Sequence, residues 1–175
     1  MIYMVEHVFS LPELEQEWND TYTAQTRIMT GVPGLRTAQR FKIMGDAAPP
    51  RYMAMYNVDS AAVFESAPYK NIGGGGTWSA RFRPAYQVWI RNLFETGATA
   101  PAVADDQVIL VFDAGRPGDF PPASRQPLWM KSVGFHMTTP YRALAVLSAS
   151  DAKDAATSGQ GVFFKPVTSL LRQLG

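Results

Sequence analysis

Pro50-Arg51-Tyr52-Met53-Ala54-Met55-Tyr56, leading into Asp59-Ser60, has a counterpart near the other end of the chain. There Pro140-Tyr141-Arg142-Ala143-Leu144-Ala145-Val146 leads into Ser150-Asp151 with the same alternation of polar and apolar residues. The likeness extends outward. Phe82-Arg83-Pro84 is echoed by Phe164-Lys165-Pro166, and Ile90-Arg91-Asn92-Leu93 by Leu171-Arg172-Gln173-Leu174. Two such modules in one chain are expected to pack together, because neither alone buries enough apolar surface.

Between these landmarks the periodicities order the elements. Ile2 to Phe9 alternates like a strand, with Tyr3, Val5, His7 and Phe9 on one face. Ser10 and Glu13 form an S-x-x-E capping box ahead of a helix whose stripe is Leu11, Leu14, Trp18, Tyr22, Gln25 and Met29. Pro33-Gly34 ends it. Leu35 to Met44 and Arg51 to Val58 read as a hairpin, and Asp59-Ser60 caps a short helix that Pro68 stops. Ala85 to Phe94 supplies a fourth strand. This β-α-β-β-α-β order is the split βαβ, ferredoxin-like plan.

Thr96 to Asp105, without periodicity, reads as a linker. Gln107 to Asp113 starts the second module, but Gly115-Arg116-Pro117-Gly118 forbids the expected helix. Leu128 to Thr138 and Tyr141 to Ser148 then form a hairpin, Ser150 caps a short helix, and a last element closes at Leu174. The expected division is residues 1–95, a linker over 96–105, and a truncated second module over 106–175.

Composition bounds the chemistry. With 175 residues, 46% of them hydrophobic, and a net charge of +1, this is an ordinary globular chain with no basic stripe for nucleic acid. The absence of cysteine excludes disulfides, thiol nucleophiles and zinc–thiolate sites, and it fits the cytoplasm. No apolar stretch is long enough to span a membrane, and no signal peptide is expected.

Several of these segments resemble the dimeric α+β barrel superfamily. The resemblance lies in Val5-Glu6-His7, in Val32-Pro33-Gly34-Leu35, in Arg51 to Tyr56 before Asp59-Ser60, and in Ser66-Ala67-Pro68-Tyr69. It covers residues 1–95 well and 105–175 weakly. It implies two ferredoxin-like modules with antiparallel sheets packed as an α+β barrel, the second module degenerate. Such barrels are usually homodimers and sometimes one duplicated chain, and this chain is similar to the duplicated kind. The resemblance also implies a mostly apolar cavity, between sheet and helices or within the barrel.

His7 is the first candidate for chemistry, since histidine titrates near working pH and serves as a general base. Its alternative is a hydrogen-bonded core residue. His136, among small and polar residues, is the second candidate, with solvent exposure as its alternative. Tyr3, Tyr52, Tyr56, Tyr69 and Tyr86 would orient a phenolic or carbonyl substrate, with Tyr56 assisting acid–base chemistry and Tyr3, Tyr52 and Trp78 binding substrate, or else they pack as half-buried strand residues. Arg40 would bind a carboxylate, or else lie at an edge or pair with Glu6. Gly73 to Gly76 lacks the Gly-Lys-Ser/Thr of a phosphate loop. No metal-ligand spacing is present and no cofactor is implied.

Two functions therefore stand. One is a cofactor-free isomerase, cyclase or monooxygenase acting on a hydrophobic aromatic or lactone-like molecule. The other is a non-catalytic barrel that binds a ligand or oligomerises.

Overall fold

The computed structural model describes residues 1–45, 49–72, 78–118, 126–156 and 161–173. Gly73 to Gly76 and Leu174 lie outside the described residues. The first half holds β1 (Ile2–Phe9), α1 (Glu15–Met29), β2 (Leu35–Ile43), β3 (Arg51–Val58), α2 (Ala67–Asn71) and β4 (Tyr86–Glu95). The second holds β5 (Gln107–Ala114), β6 (Leu128–Phe135), β7 (Tyr141–Ser148), α3 (Ala149–Ala156), β8 (Val162–Pro166) and β9 (Leu171–Arg172).

All strand pairs are antiparallel, and the sheet runs β3-β1-β4-β6-β7-β5-β8-β2, with β2 returning to β3. Eight strands therefore close into a barrel. The front four follow the order β2-β3-β1-β4 and the back four β6-β7-β5-β8, which is the same order shifted by one module. The matched stretches of sequence are β3 and β7. Two seams join the halves. Asn92 to Glu95 pair with Phe135 to Lys131, and Phe41 to Ile43 pair with Pro166 to Phe164. No helix among the described residues is long and apolar enough to cross a membrane.

Side-chain alternation divides the apolar residues between two cores. Ile2, Met4, Met53, Met55, Phe94 and Phe164 fill the barrel interior. Tyr3, Val5, Phe9, Tyr52, Tyr56 and Leu93 face outward and are covered by Trp18, Tyr22 and Met29 of α1. The interior also buries Arg142 and Glu6, which pair at 2.6 Å and reach outward to partly exposed partners, Arg142 to Asp113 at 2.6 Å and Glu6 to Arg51. The residues between β4 and β5 are pinned across one barrel end. Val103 exchanges two hydrogen bonds with Gln39, and Ala100 donates to Asn57.

Local signals differ from expectation at four helix starts. A 3-10 turn over Ala61–Glu65 follows Ser60 without a side-chain cap. Helix α3 begins at Ala149, with Ser148 Oγ rather than Ser150 accepting from the Asp151 amide. The segments after Ser10 and around Pro68 also depart. The Ser10 hydroxyl donates to the Ala85 carbonyl at 3.0 Å instead of capping, and a 3-10 turn over Pro12–Leu14 leads into α1. Pro68 begins a helix where the sequence suggested an end. Ser66 accepts from the Tyr69 amide as N-cap, and proline in the first turn lacks only an amide that would have no helical partner.

Candidate active site

The helix-covered face of the front half brings together His7, Tyr3, Tyr56 and Trp78, four of the residues singled out in the sequence. Tyr3, Val5 and His7 of β1, Tyr56 of β3, and Trp89 and Arg91 of β4 line a pocket there. Tyr22 and Gln25 of α1, with Tyr69 and Trp78, close it from above. Strand register explains the grouping, because Val5 lies opposite Arg91 and His7 opposite Trp89.

His7 is 3% exposed and sits in an aromatic cage. Its ring is 4.7 Å from Tyr86, 5.3 Å from Tyr22 and 5.7 Å from Trp18. Burial, followed by the nearby charge of Arg40, pulls its pKa down to about 3, so the imidazole is neutral at ordinary pH. Burial pushes the Tyr56 hydroxyl up to about 12, and Tyr3 and Tyr22 also rise. The tyrosines are thus neutral hydrogen-bonding groups rather than bases. Tyr56 is hydrogen-bonded to Thr26 and Tyr22, and Tyr3 to Tyr69.

Among the described residues, three buried polar atoms in this lining have no hydrogen-bond partner: His7 Nδ1, Trp78 Nε1 and Arg91 Nε. Buried polar atoms are normally satisfied, so three in one lining is an unusual concentration. The free space is about 20 Å3, which is the room of one water molecule. Trp89, which also lines the pocket, is 38% exposed.

The pocket gathers His7, Tyr56, Tyr3, Tyr69 and Trp78 from the residues singled out in the sequence. Its lining does not include Tyr86, Tyr52, Arg40 or His136. The Tyr52 hydroxyl is hydrogen-bonded to Glu15 and accepts from Asn19 at 3.1 Å, on the far side of Trp18. The Arg40 guanidinium is engaged by α1 rather than by the pocket, and the cations paired with Glu6 are Arg142 and Arg51, inside the barrel. His136 is exposed at the end of the β4–β6 seam, where its Nδ1 accepts from the Arg91 amide at 3.1 Å. Arg91 is the residue that the sequence reading passed over. Its place on the same outward face as His7 follows from pairing β4 beside β1 and counting register from Val5.

Among the described residues no group of three or more His, Asp or Glu side chains is placed to hold a metal ion. Larger hollows among the described residues include a groove of about 520 Å3 beside Met1, Arg36 and Arg172, and one of about 250 Å3 at the ion cluster of Arg51, Asp113 and Arg142. Neither contains any of the three unpartnered atoms of the His7 pocket.

No protein-family model matches the chain, and no curated protein matches it by sequence. Solved structures do match it in shape. An anthrone oxidase-like protein superposes with a TM-score of 0.65 at 10% identity, over 99% of this chain and 93% of its own. A protein assigned as a monooxygenase from Fusobacterium nucleatum gives 0.59 at 9% identity, over 99% and 95%. Another so assigned, from Lactobacillus acidophilus, gives 0.53 at 11%, over 98% and 96%. The fold is therefore that of an antiparallel α+β barrel of the kind these proteins share.

Proposed function

We propose that this chain is a small-molecule enzyme of the α+β barrel type that oxygenates a hydrophobic aromatic substrate without a cofactor. The observation that carries this reading is the buried, neutral His7 with an unpartnered Nδ1 in an aromatic pocket. With its pKa at about 3, not the near-neutral value expected of histidine, the imidazole is a weak base before substrate binds. Catalysis therefore requires Nδ1 to be the unprotonated nitrogen and the substrate anion to stabilise the imidazolium formed beside it. The names of the structural neighbours favour oxygenation over isomerisation or cyclisation.

The chemistry balances with dioxygen as the one co-reactant. His7 takes a proton from an activated CH2 between aromatic rings, leaving a carbanion stabilised as a phenolate. That anion reduces O2 and bonds to one of its oxygen atoms. Loss of the second hydrogen, with return of the first proton, releases the other oxygen as water and leaves a ketone. Tyr56 and Tyr3 orient the substrate oxygen as hydrogen-bonding groups, and Trp78 stacks on the ring. His136 and Tyr52 support the pocket from outside, through Arg91 and Trp18.

The matching strand orders of the two halves support a pair of ferredoxin-like modules, residues 1–95 and 106–175, the second without its first helix. A cytoplasmic location suits the cysteine-free composition. The exposed Val133, Phe135 and Met137 support self-association as a homodimer.

The narrowness of the pocket favours the second reading, a barrel that binds a ligand or oligomerises without chemistry. Oxygen uptake with anthrone separates the two. The enzyme reading expects one O2 consumed per anthraquinone formed, and loss of both in His7→Gln at unchanged fold. Binding of anthrone without oxygen uptake supports the non-catalytic barrel.

A further inference from the structure

Just behind the pocket lies a cation without an anion. Arg40 projects from β2 toward α1 and is 1% exposed. Its Nη1 donates to the Asn19 carbonyl and to Thr23 Oγ1, both at 2.8 Å, and its Nη2 donates to Asn19 Oδ1 at 2.8 Å. Every one of these acceptors is neutral. Among the described residues no carboxylate pairs with Arg40, whereas the equally buried Arg142 on the inner face has Glu6 and Asp113. Arginine does not shed its proton to escape burial, so the charge persists. An uncompensated buried charge is costly, and its retention calls for a reason.

The geometry supplies one. The Arg40 Cζ lies 4.3 Å from the centre of the Tyr22 ring and 5.2 Å from that of Trp18. Those two rings stand on the other side against His7. Only one aromatic layer separates the guanidinium from the imidazole. In so dry a place a charge acts with little screening.

We propose that Arg40 is a positioning residue for His7: its uncompensated charge acts through the Tyr22–Trp18 wall to keep the imidazole free of a proton until a substrate anion forms beside it. This rests on the reading of His7 as the base. The charge disfavours an imidazolium made by a proton from solvent, and equally favours an anion on the substrate. Proton transfer from substrate to His7 creates both at once, so the two effects oppose and the transfer is not penalised as solvent protonation is. The groups facing His7 are Trp18 and Tyr22 from α1, Tyr52 and Tyr56 from β3, and Tyr86, Trp89 and Arg91 from β4, with Arg40 behind from β2. None is a carboxylate. Glu6, next in sequence, points into the barrel.

Asn19→Asp tests this without removing Arg40. It sets a carboxylate against Nη2 and cancels the charge, while the guanidinium and its contacts stay in place. The chain has two histidines, so side-chain nitrogen NMR follows each one, with the exposed His136 as internal control. The expected result is an upward shift of the His7 midpoint by about one unit or more, tenfold in protonation constant, with His136 unmoved. Arg40→Met is expected to shift His7 the same way and Arg40→Lys to leave it nearly unchanged. If Arg40→Met does not fold, Asn19→Asp decides alone. An unchanged His7 midpoint in a folded Asn19→Asp protein overturns the proposal. Failure of the base assignment looks different: His7→Gln would retain oxygen uptake while the titration still responded to Asn19→Asp.

Discussion

The ring of Tyr86 lies 4.7 Å from the imidazole of His7 without satisfying its Nδ1. The Tyr86 hydroxyl is turned instead to Trp18, whose Nε1 donates to it at 2.9 Å. Tyr86→Phe therefore leaves the buried indole N–H of Trp18 without an acceptor and hardly alters the His7 nitrogens. We expect about 1–3 kcal/mol of lost stability in denaturant unfolding, with the His7 titration unmoved. A large change in that titration would contradict the arrangement.

Acid should weaken this fold for a reason that can be removed. His7 in the folded chain titrates at about 3, well below the roughly 6.5 of a free imidazole. Folding thus excludes a proton that the unfolded chain accepts. The resulting stability is complete above the unfolded value and is lost as pH falls from there toward the folded one. His7→Phe deletes this dependence. Its melting temperature is expected to fall less than that of the wild type between pH 7 and pH 4.5, read by calorimetry.

The interior ion cluster contributes at lower pH. Burial raises the Glu6 pKa, but Arg142 and Arg51 outweigh it and hold the carboxyl below its ordinary value. That stability is present above the unfolded carboxyl pKa and lost as pH drops through the lowered one. Glu6→Gln removes the buried carboxylate but leaves Arg142, 2% exposed, paired with Asp113, and should destabilise by about 1–3 kcal/mol at neutral pH. A Glu6→Gln protein as stable as the wild type would mean that the cluster is wetter than its burial implies.

Gly34 has φ +90°, and a Cβ there would lie 2.5 Å from Val63 Cγ2. Gly34→Ala therefore combines left-handed strain with a side-chain clash at the entry to β2. A loss of about 1–3 kcal/mol is expected. Gly97→Ala, where a Cβ meets nothing within 4 Å, is the control that should change stability little.

Much of the barrel was legible because its signals are local. The alternation in Ile2 to Phe9 separated inward Met4 from outward His7, and the stripe from Trp18 to Met29 marked the covering face of α1. The two seams had no such signal, since they join residues far apart in sequence. Pro68 misled because the same residue ends one helix and opens another, and only the Ser66 cap decides which. Half of the site followed from the β1 face. Arg91 needed the β4 register, and Arg40 needed the position of Asn19 and Thr23 on a helix above it. Tyr52 reads like Tyr56 in sequence, yet Glu15 and Asn19 draw its hydroxyl away from the pocket.

The second seam has a consequence for how the chain comes into being. Strand β2 receives its outer partners from β8 and β9, and its start is tied to the C-terminal end by Arg36 and Gln173, 137 positions apart. During synthesis the front half therefore waits with the edge of β2 bare and its inward methionines uncovered. Nothing made before β8 closes that edge. An open edge beside apolar surface is a template for pairing with other chains, and contacts of such separation form slowly. A chain stopped after β4 is therefore expected to aggregate rather than fold.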